Sequence, residues 1–331
     1  MIITGIVASG INTIETVTLT ISPAVNGLTT WTFPTDGDLI LYDSPFEWTL
    51  TPNQTFNRTV KMWGGGGSPY SGTGGNPNRG FSGGGGAATA NVTFEAGVAY
   101  KMRSPNLSYR TPSSFTTSSS NWANAISGCW GAGNAGSMIN RTPSANSSGG
   151  TGGGYAGIFR VSVSQVNAIL MAGGGGGGGA LGTFNTDYTG RGGHGGGTVG
   201  GAGDSAASAL GANNGGQGGT QSAGAGALQG GHGHVGTTSY GTGGGGGGGY
   251  WGGYAGGGSS SGGGSGGGGG SGFFSSNTSR VQNAILYSGG SAYPGNDSDP
   301  DRIAVSNSIG WGASLTTYSS RGMGLIIIKA T

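Results

Sequence analysis

Charge is what this chain has least of. Only 7% of its 331 residues are Asp, Glu, Lys or Arg, where a soluble domain carries about 25%. The net charge is +2. No basic stripe is there to displace counterions from phosphates, which excludes an electrostatically driven nucleic-acid partner. The single cysteine, Cys129, excludes an intrachain disulfide and reads as a small apolar core residue. The 11 prolines follow no Gly-X-Y register, so collagen is excluded. No run of about 18 apolar residues is available to cross a bilayer. Met1–Gly10 lacks the basic flank of a signal peptide. Sustained helical periodicity is missing as well; "NWANAI" and "SAASAL" are too short to carry one.

Glycine takes the place of what is missing, at 84 residues, about a quarter of the chain against a usual ~7%. A hydrophobic share of 33% with 9% aromatics argues against disorder, which pairs low hydrophobicity with high net charge. In "TIETVTLTI", Val17, Leu19 and Ile21 alternate with Thr16, Thr18 and Thr20, the period of a half-buried strand. "GLTTWTFPTDGDLILYD" reads as strand, turn and strand. Trp31, Phe33, Trp48, Phe56 and Trp63 are the expected core. Further short apolar strands follow, among them "ANVTFEAGVAYKM", "YAGIFRVSV", "VNAILMA", "VQNAILYS" and "GLIIIKA". The chain is therefore read as all-β. Residues 1–62 form an N-terminal β-rich segment and candidate attachment part. Residues 63–331 form a glycine-rich β-sandwich domain with exposed loops.

Several of these strands feed directly into glycine, as in "ILMAGGGGGGGALG" (Ile169–Gly182). "QVNAILMAGG" recurs as "RVQNAILYSGG", two similar elements of one domain. Ordering glycine costs more backbone entropy than ordering any other residue, so ordered blocks need a compensating set of bonds. Polyglycine II helices supply one, because chains without side chains approach closely and bond laterally. The expectation is a β-sandwich combined with a bundle of polyglycine II helices. Gly64–Gly67, Gly83–Gly86, Gly149–Gly154, Gly173–Gly179, Gly192–Gly197, Gly215–Gly219, Gly243–Gly249 and Gly262–Gly270 would form its members. Most large side chains fall in the inserts between them, such as "ALGTFNTDYTGR" and "HGHVGTTSY".

"RTVKMWGGGGS", "AILMAGGGGGGG" and "GMGLIIIKAT" together resemble the glycine-rich domains of bacteriophage tail-fibre adhesins, above all those at the tips of long tail fibres in T-even-like phages. The resemblance spans roughly Gly37 to Thr331. The glycine-rich domain of certain receptor tyrosine kinases is more distantly similar, but it is cysteine-rich and this chain has one cysteine. The adhesin resemblance implies a virion protein assembled in the host cytoplasm and exposed on the particle. It would display rigid loops to a bacterial surface receptor, a glycan or an outer-membrane protein. The alternative it leaves is a structural virion protein (decoration, head-fibre or adaptor subunit) binding only other virion proteins.

Tyr70, Phe184, Tyr188, Tyr240, Tyr250, Trp251 and Tyr254 flank glycine blocks. They are candidates either for receptor contact, as low-entropy stacking groups, or for shielding the block ends. His232 and His234 form H-x-H. In a homotrimer three such pairs would offer six imidazoles to a metal; the plainer reading is two exposed loop residues. "DSDPDR" (Asp297–Arg302) lacks EF-hand spacing and reads as a solvated turn. G-x-G-x-x-G matches follow from composition alone, and no G-K-[ST] occurs. No cofactor and no catalysis are expected.

Overall fold

The computed structural model describes residues 16–42, 47–69, 81–106, 130–136, 149–180, 190–205, 215–234, 241–258, 263–312 and 322–330. Their regular structure is two antiparallel sheets. The first contains β1 (Val17–Val25), β2 (Leu28–Phe33), β4 (Glu47–Pro52), β7 (Tyr100–Arg103), β8 (Ala156–Arg160), β9 (Ala168–Ala172) and β10 (Phe273–Phe274), in the order β10-β9-β8-β7-β4-β1-β2. The second contains β3 (Leu39–Tyr42), β5 (Phe56–Trp63), β6 (Ala87–Phe94), β11 (Val281–Tyr287) and β12 (Leu325–Ile328), in the order β11-β6-β5-β12-β3.

Side-chain alternation decides which faces meet. In β1, Val17, Leu19 and Ile21 are buried while Thr20 faces out; β4 and β6 alternate in the same way. The inward residues of both sheets form one core. An aromatic row crosses it. Phe33 lies 6.1 Å from Phe56, Phe56 stacks on Phe94 at 5.0 Å, and Phe94 meets Tyr100 edge-on at 5.0 Å. The five expected core aromatics are all buried.

The outer faces are covered as well. On the second sheet, Trp63, Ala87, Leu325 and Ile327 pack under Ile309 and Val305, the latter from α1 (Pro300–Val305). This helix corrects the solvated-turn reading of "DSDPDR". Asp299 is its N-cap, accepting from the Asp301 N–H, and Pro300 stands at its first turn. Asp followed by Pro is a helix-start signal that the absence of periodicity had hidden. Asp299 and Asp301 hold Lys61 at 2.9 and 2.7 Å. Asp301 and Asp38 hold Lys329 at 3.0 and 2.6 Å. Arg302 is buried, donating to the carbonyls of Asn307, Ile309 and Asp297.

One end of the sandwich is built differently from the other. The pairs Trp63↔Ala87, Ala156↔Ala172, Phe273↔Met171 and Leu325↔Trp63 all mark the same end, and glycine continues each strand beyond it, at β8 after the intervening Tyr155. The Gly64 N–H donates to Gly86 O at 3.0 Å and the Gly65 N–H to Gly154 O at 2.9 Å. At the opposite end the described connections are short, such as Asn53–Thr55 and Glu95–Ala99.

The inner glycine segments, 173–179, 243–249 and 264–270, are buried throughout. Successive N–H groups along Gly174–Gly179 donate in rotation to Gly248, Gly65, Gly193, Gly245, Ser68 and Gly190, so each neighbour is met every third residue. Its carbonyls accept from Gly83–Gly86, Gly150–Gly153 and Gly267–Gly270. Gly243–Gly249 and Gly264–Gly270 are bonded in the same way, and these three inner segments touch one another. Around them runs a closed ring of further segments. In order these are 64–68, 149–154, 133–136, 230–234, 252–257, 215–219, 200–204, 190–196 and 83–86.

The expected bundle of polyglycine II helices is corrected. No helix is assigned in any glycine segment. Among the described residues the helical elements are α1 and the 3-10 turn Gln165–Asn167. What orders the glycine is bonding between segments, since every backbone bond of the three inner segments leaves its own segment, while the regular structure of the described residues resides in the two sheets. The fold class is all-β, in a seven-stranded and a five-stranded antiparallel sheet.

Candidate functional site

The glycine segments position everything that the sequence singled out beyond the sheets. Their close approach explains why side chains are excluded. A Cβ on Gly173 would stand 2.2 Å from Gly270 O, and one on Gly247 would stand 2.0 Å from Gly174 O. Neither distance is tolerated by real atoms. Residues with side chains therefore collect where a segment faces out. Ala202, Gln217, His232, His234 and Tyr254 are exposed on ring segments.

The ends of the segments sort into two levels. Near the sheets the chain turns back at Tyr250–Trp251 and at Thr220–Gln229. At the far level, Ala180 N–H donates to Thr242 O, Gly179 N–H to Gly190 O, Gly136 N–H to Gly243 O, and Gly67 N–H to Gly83 O. The described chain ends bracketing 70–80, 137–148, 181–189, 206–214, 235–240 and 259–262 all reach this far level.

The candidate aromatics divide accordingly. Tyr70, Phe184, Tyr188 and Tyr240 lie outside the described residues, as does Cys129. Tyr250 is at the sheet-side level, stacked on Phe273 at 3.9 Å and 7°, beside Tyr155, Phe159 and Met171 on the outer face of the first sheet. Trp251 is half-buried next to it and bridges Ala227. Tyr254 is 44% exposed on the flank, its N–H donating to Gln217 O at 2.8 Å. The structure thus joins Tyr250 and Trp251 to the packing between sheet and glycine segments, and leaves Tyr254 facing solvent.

His232 and His234 are both exposed. His232 Nδ1 accepts the Asn134 N–H at 3.1 Å, which occupies one of the two nitrogens a metal would use. Among the described residues no group of three His, Cys, Asp or Glu side chains stands close enough to hold a metal ion.

Two exposed groups escaped the sequence reading. Arg191 stands next to Gly190 at the far level, its guanidinium 5.6 Å from the centre of the Phe81 ring. Asp204 lies beside it, its N–H donating to Arg191 O at 2.8 Å. Neither forms part of a motif; only the bonding of segments 190–196 and 200–204 brings them together. The remaining ion pairs serve the sheets. Glu95 joins Arg160 and Arg280 at 2.9 and 2.8 Å. Arg103 pairs with Glu47 at 2.9 Å, donates to the Tyr155 hydroxyl at 2.9 Å and lies 4.2 Å from the Trp130 ring centre. Hydrogen bonds from Arg160 and Arg280 hold the Glu95 carboxyl below its ordinary range.

No family model matches this chain, and no curated protein is significantly similar to it. The resemblance to phage tail-fibre adhesins is overturned on both grounds. The comparisons return no such family, and the polyglycine II helices that carried the likeness are not among the elements of the fold.

Proposed function

We propose that this chain is a recognition module that displays rigid loops to a receptor on a cell surface. One observation carries the reading. The glycine segments bring the chain ends bracketing six intervals to one common level, remote from the sheets. Connecting segments are where binding residues concentrate when a rigid scaffold positions them. A scaffold already fixed by backbone bonds loses little further freedom when a partner docks. The scarcity of charge favours contact through aromatic and polar groups over long-range attraction. A second reading, a structural subunit that binds only neighbours in an assembly, is favoured by Tyr250 and Trp251, which pack inward.

The two readings separate on binding by the isolated chain. Purified protein incubated with intact bacterial cells should be retained on them. A double variant Phe184→Ser/Tyr240→Ser should lose retention with thermal unfolding unchanged. A chain that binds no cells would overturn the display reading in favour of the structural one.

A further inference from the structure

Charge is scarce in this chain, and the described cations are nearly all engaged. Lys61 and Lys329 clamp α1 to the second sheet, Arg160 and Arg280 share Glu95, and Arg302 is buried against carbonyls. Arg58 leans over Phe33 and Phe56 and donates to Asn57 O. Arg191 differs from all of these. It is exposed, and among the described residues its guanidinium has no hydrogen-bond or ion-pair partner; it lies over the face of Phe81. Its backbone is fixed on both sides, through Gly190 N–H to Gly264 O at 3.0 Å and Gly192 N–H to Phe81 O at 2.8 Å. Five N–H donors on a planar fork are thus held at the far level by an aromatic ring and a rigid backbone. That is the geometry in which arginine reads carboxylate or phosphate bidentately. On the adjacent segment, the exposed Asp204 carboxylate likewise has no hydrogen-bond or ion-pair partner among the described residues. It would repel a bare anion, but it accepts from hydroxyls. A ligand suited to both groups carries an anionic substituent together with hydroxyl groups.

We infer that Arg191 and Asp204 form a subsite at the far end of the glycine segments for an acidic saccharide, Arg191 holding its carboxylate or phosphate and Asp204 a neighbouring hydroxyl. This inference rests on the display reading and names its ligand class. The test uses the full chain against three immobilised polymers: polygalacturonate for carboxylate, phosphomannan for phosphate, and neutral dextran. Wild type should bind one of the anionic polymers and not dextran, and which one it binds identifies the anion. Arg191→Gln should weaken that binding by about tenfold or more, the loss of a charge-assisted pair. Arg191→Lys should restore only part of it, because a lysine lacks the fork. Asp204→Asn should weaken it severalfold. Arg58→Gln, which removes the same charge elsewhere, should leave it unchanged. The inference is overturned if neither anionic polymer binds, if Arg191→Gln binds as wild type, or if Arg58→Gln loses as much as Arg191→Gln. Retention on intact cells is scored in parallel. If wild type and Arg191→Gln are retained equally, the subsite falls while the display reading stands. If wild type is not retained, it is the display reading that fails.

Discussion

A single methyl group is the unit that decides this fold. At Gly174 an added Cβ would stand 2.2 Å from Gly153 O, and at Gly247 2.0 Å from Gly174 O. The neighbours there are backbone, which cannot swing aside as a side chain can. Gly174→Ala and Gly247→Ala should each cost at least about 1–3 kcal/mol, the range for overpacking, read from chemical denaturation. Gly290→Ala is the control, since its nearest atom would be Tyr293 Cβ at 3.7 Å; it should be near neutral. Equal stability of all three variants would mean that the close contacts do not hold in solution. The same rule explains where side chains are admitted. Thr151 is buried in a ring segment, but Gln217, His232 and Tyr254 stand on outward positions.

Among the elements, α1 shows how sparse charge is spent. Hydrogen bonds from Lys61 and then Lys329 hold the Asp301 carboxyl below its ordinary 3.8, against the opposing effect of burial. Glu95 is held below 4.5 by Arg160 and Arg280. Burial pulls Lys61 down, but the hydrogen bonds of Asp301 and Asp299 outweigh it and hold the amine above 10.5. The hydrogen bond to Asp38 raises Lys329 likewise. Depressed carboxyls stabilise the fold above their unfolded values and cease to do so as pH falls through the folded ones. Raised amines stabilise it below their unfolded value, and that contribution goes as pH climbs through the folded one. Denaturation midpoints should therefore stay level through neutrality, decline below about pH 4 and decline again above about pH 10.5. Asp301→Asn should make the acid decline shallower. An acid limb identical to wild type would show that the Lys61–Asp301–Lys329 cluster contributes nothing to it.

At the level of the whole molecule, two kinds of interior meet end to end. Between the sheets, apolar side chains are removed from water; beyond them, backbone groups satisfy one another without side chains. Amide exchange should separate the buried from the outward backbone. The amides of Gly174–Gly179 and Gly244–Gly248 should exchange only on global unfolding, whereas those of Ala202, Gly218, His232 and Ala255, which donate to no group among the described residues, should exchange rapidly. Uniform fast exchange across the glycine segments would contradict their lateral bonding. Much of the sandwich was legible in the chain itself. A period of two in β1, β4 and β6 specifies which residues turn inward, because successive side chains of a strand point to opposite faces. The runs at Gly173–Gly179 and Gly243–Gly249 announce a place where side chains have no room. Residue identity could not say which glycine segment bonds to which, since identical backbones carry no label. Partner choice followed from the order in which strands β5 to β12 deliver their segments to one end. The same tertiary arrangement placed Tyr250 under Phe273 and set Arg191 beside Asp204, neighbours that no sequence spacing connects, because a contact between separate segments depends on the register of the bonds joining them.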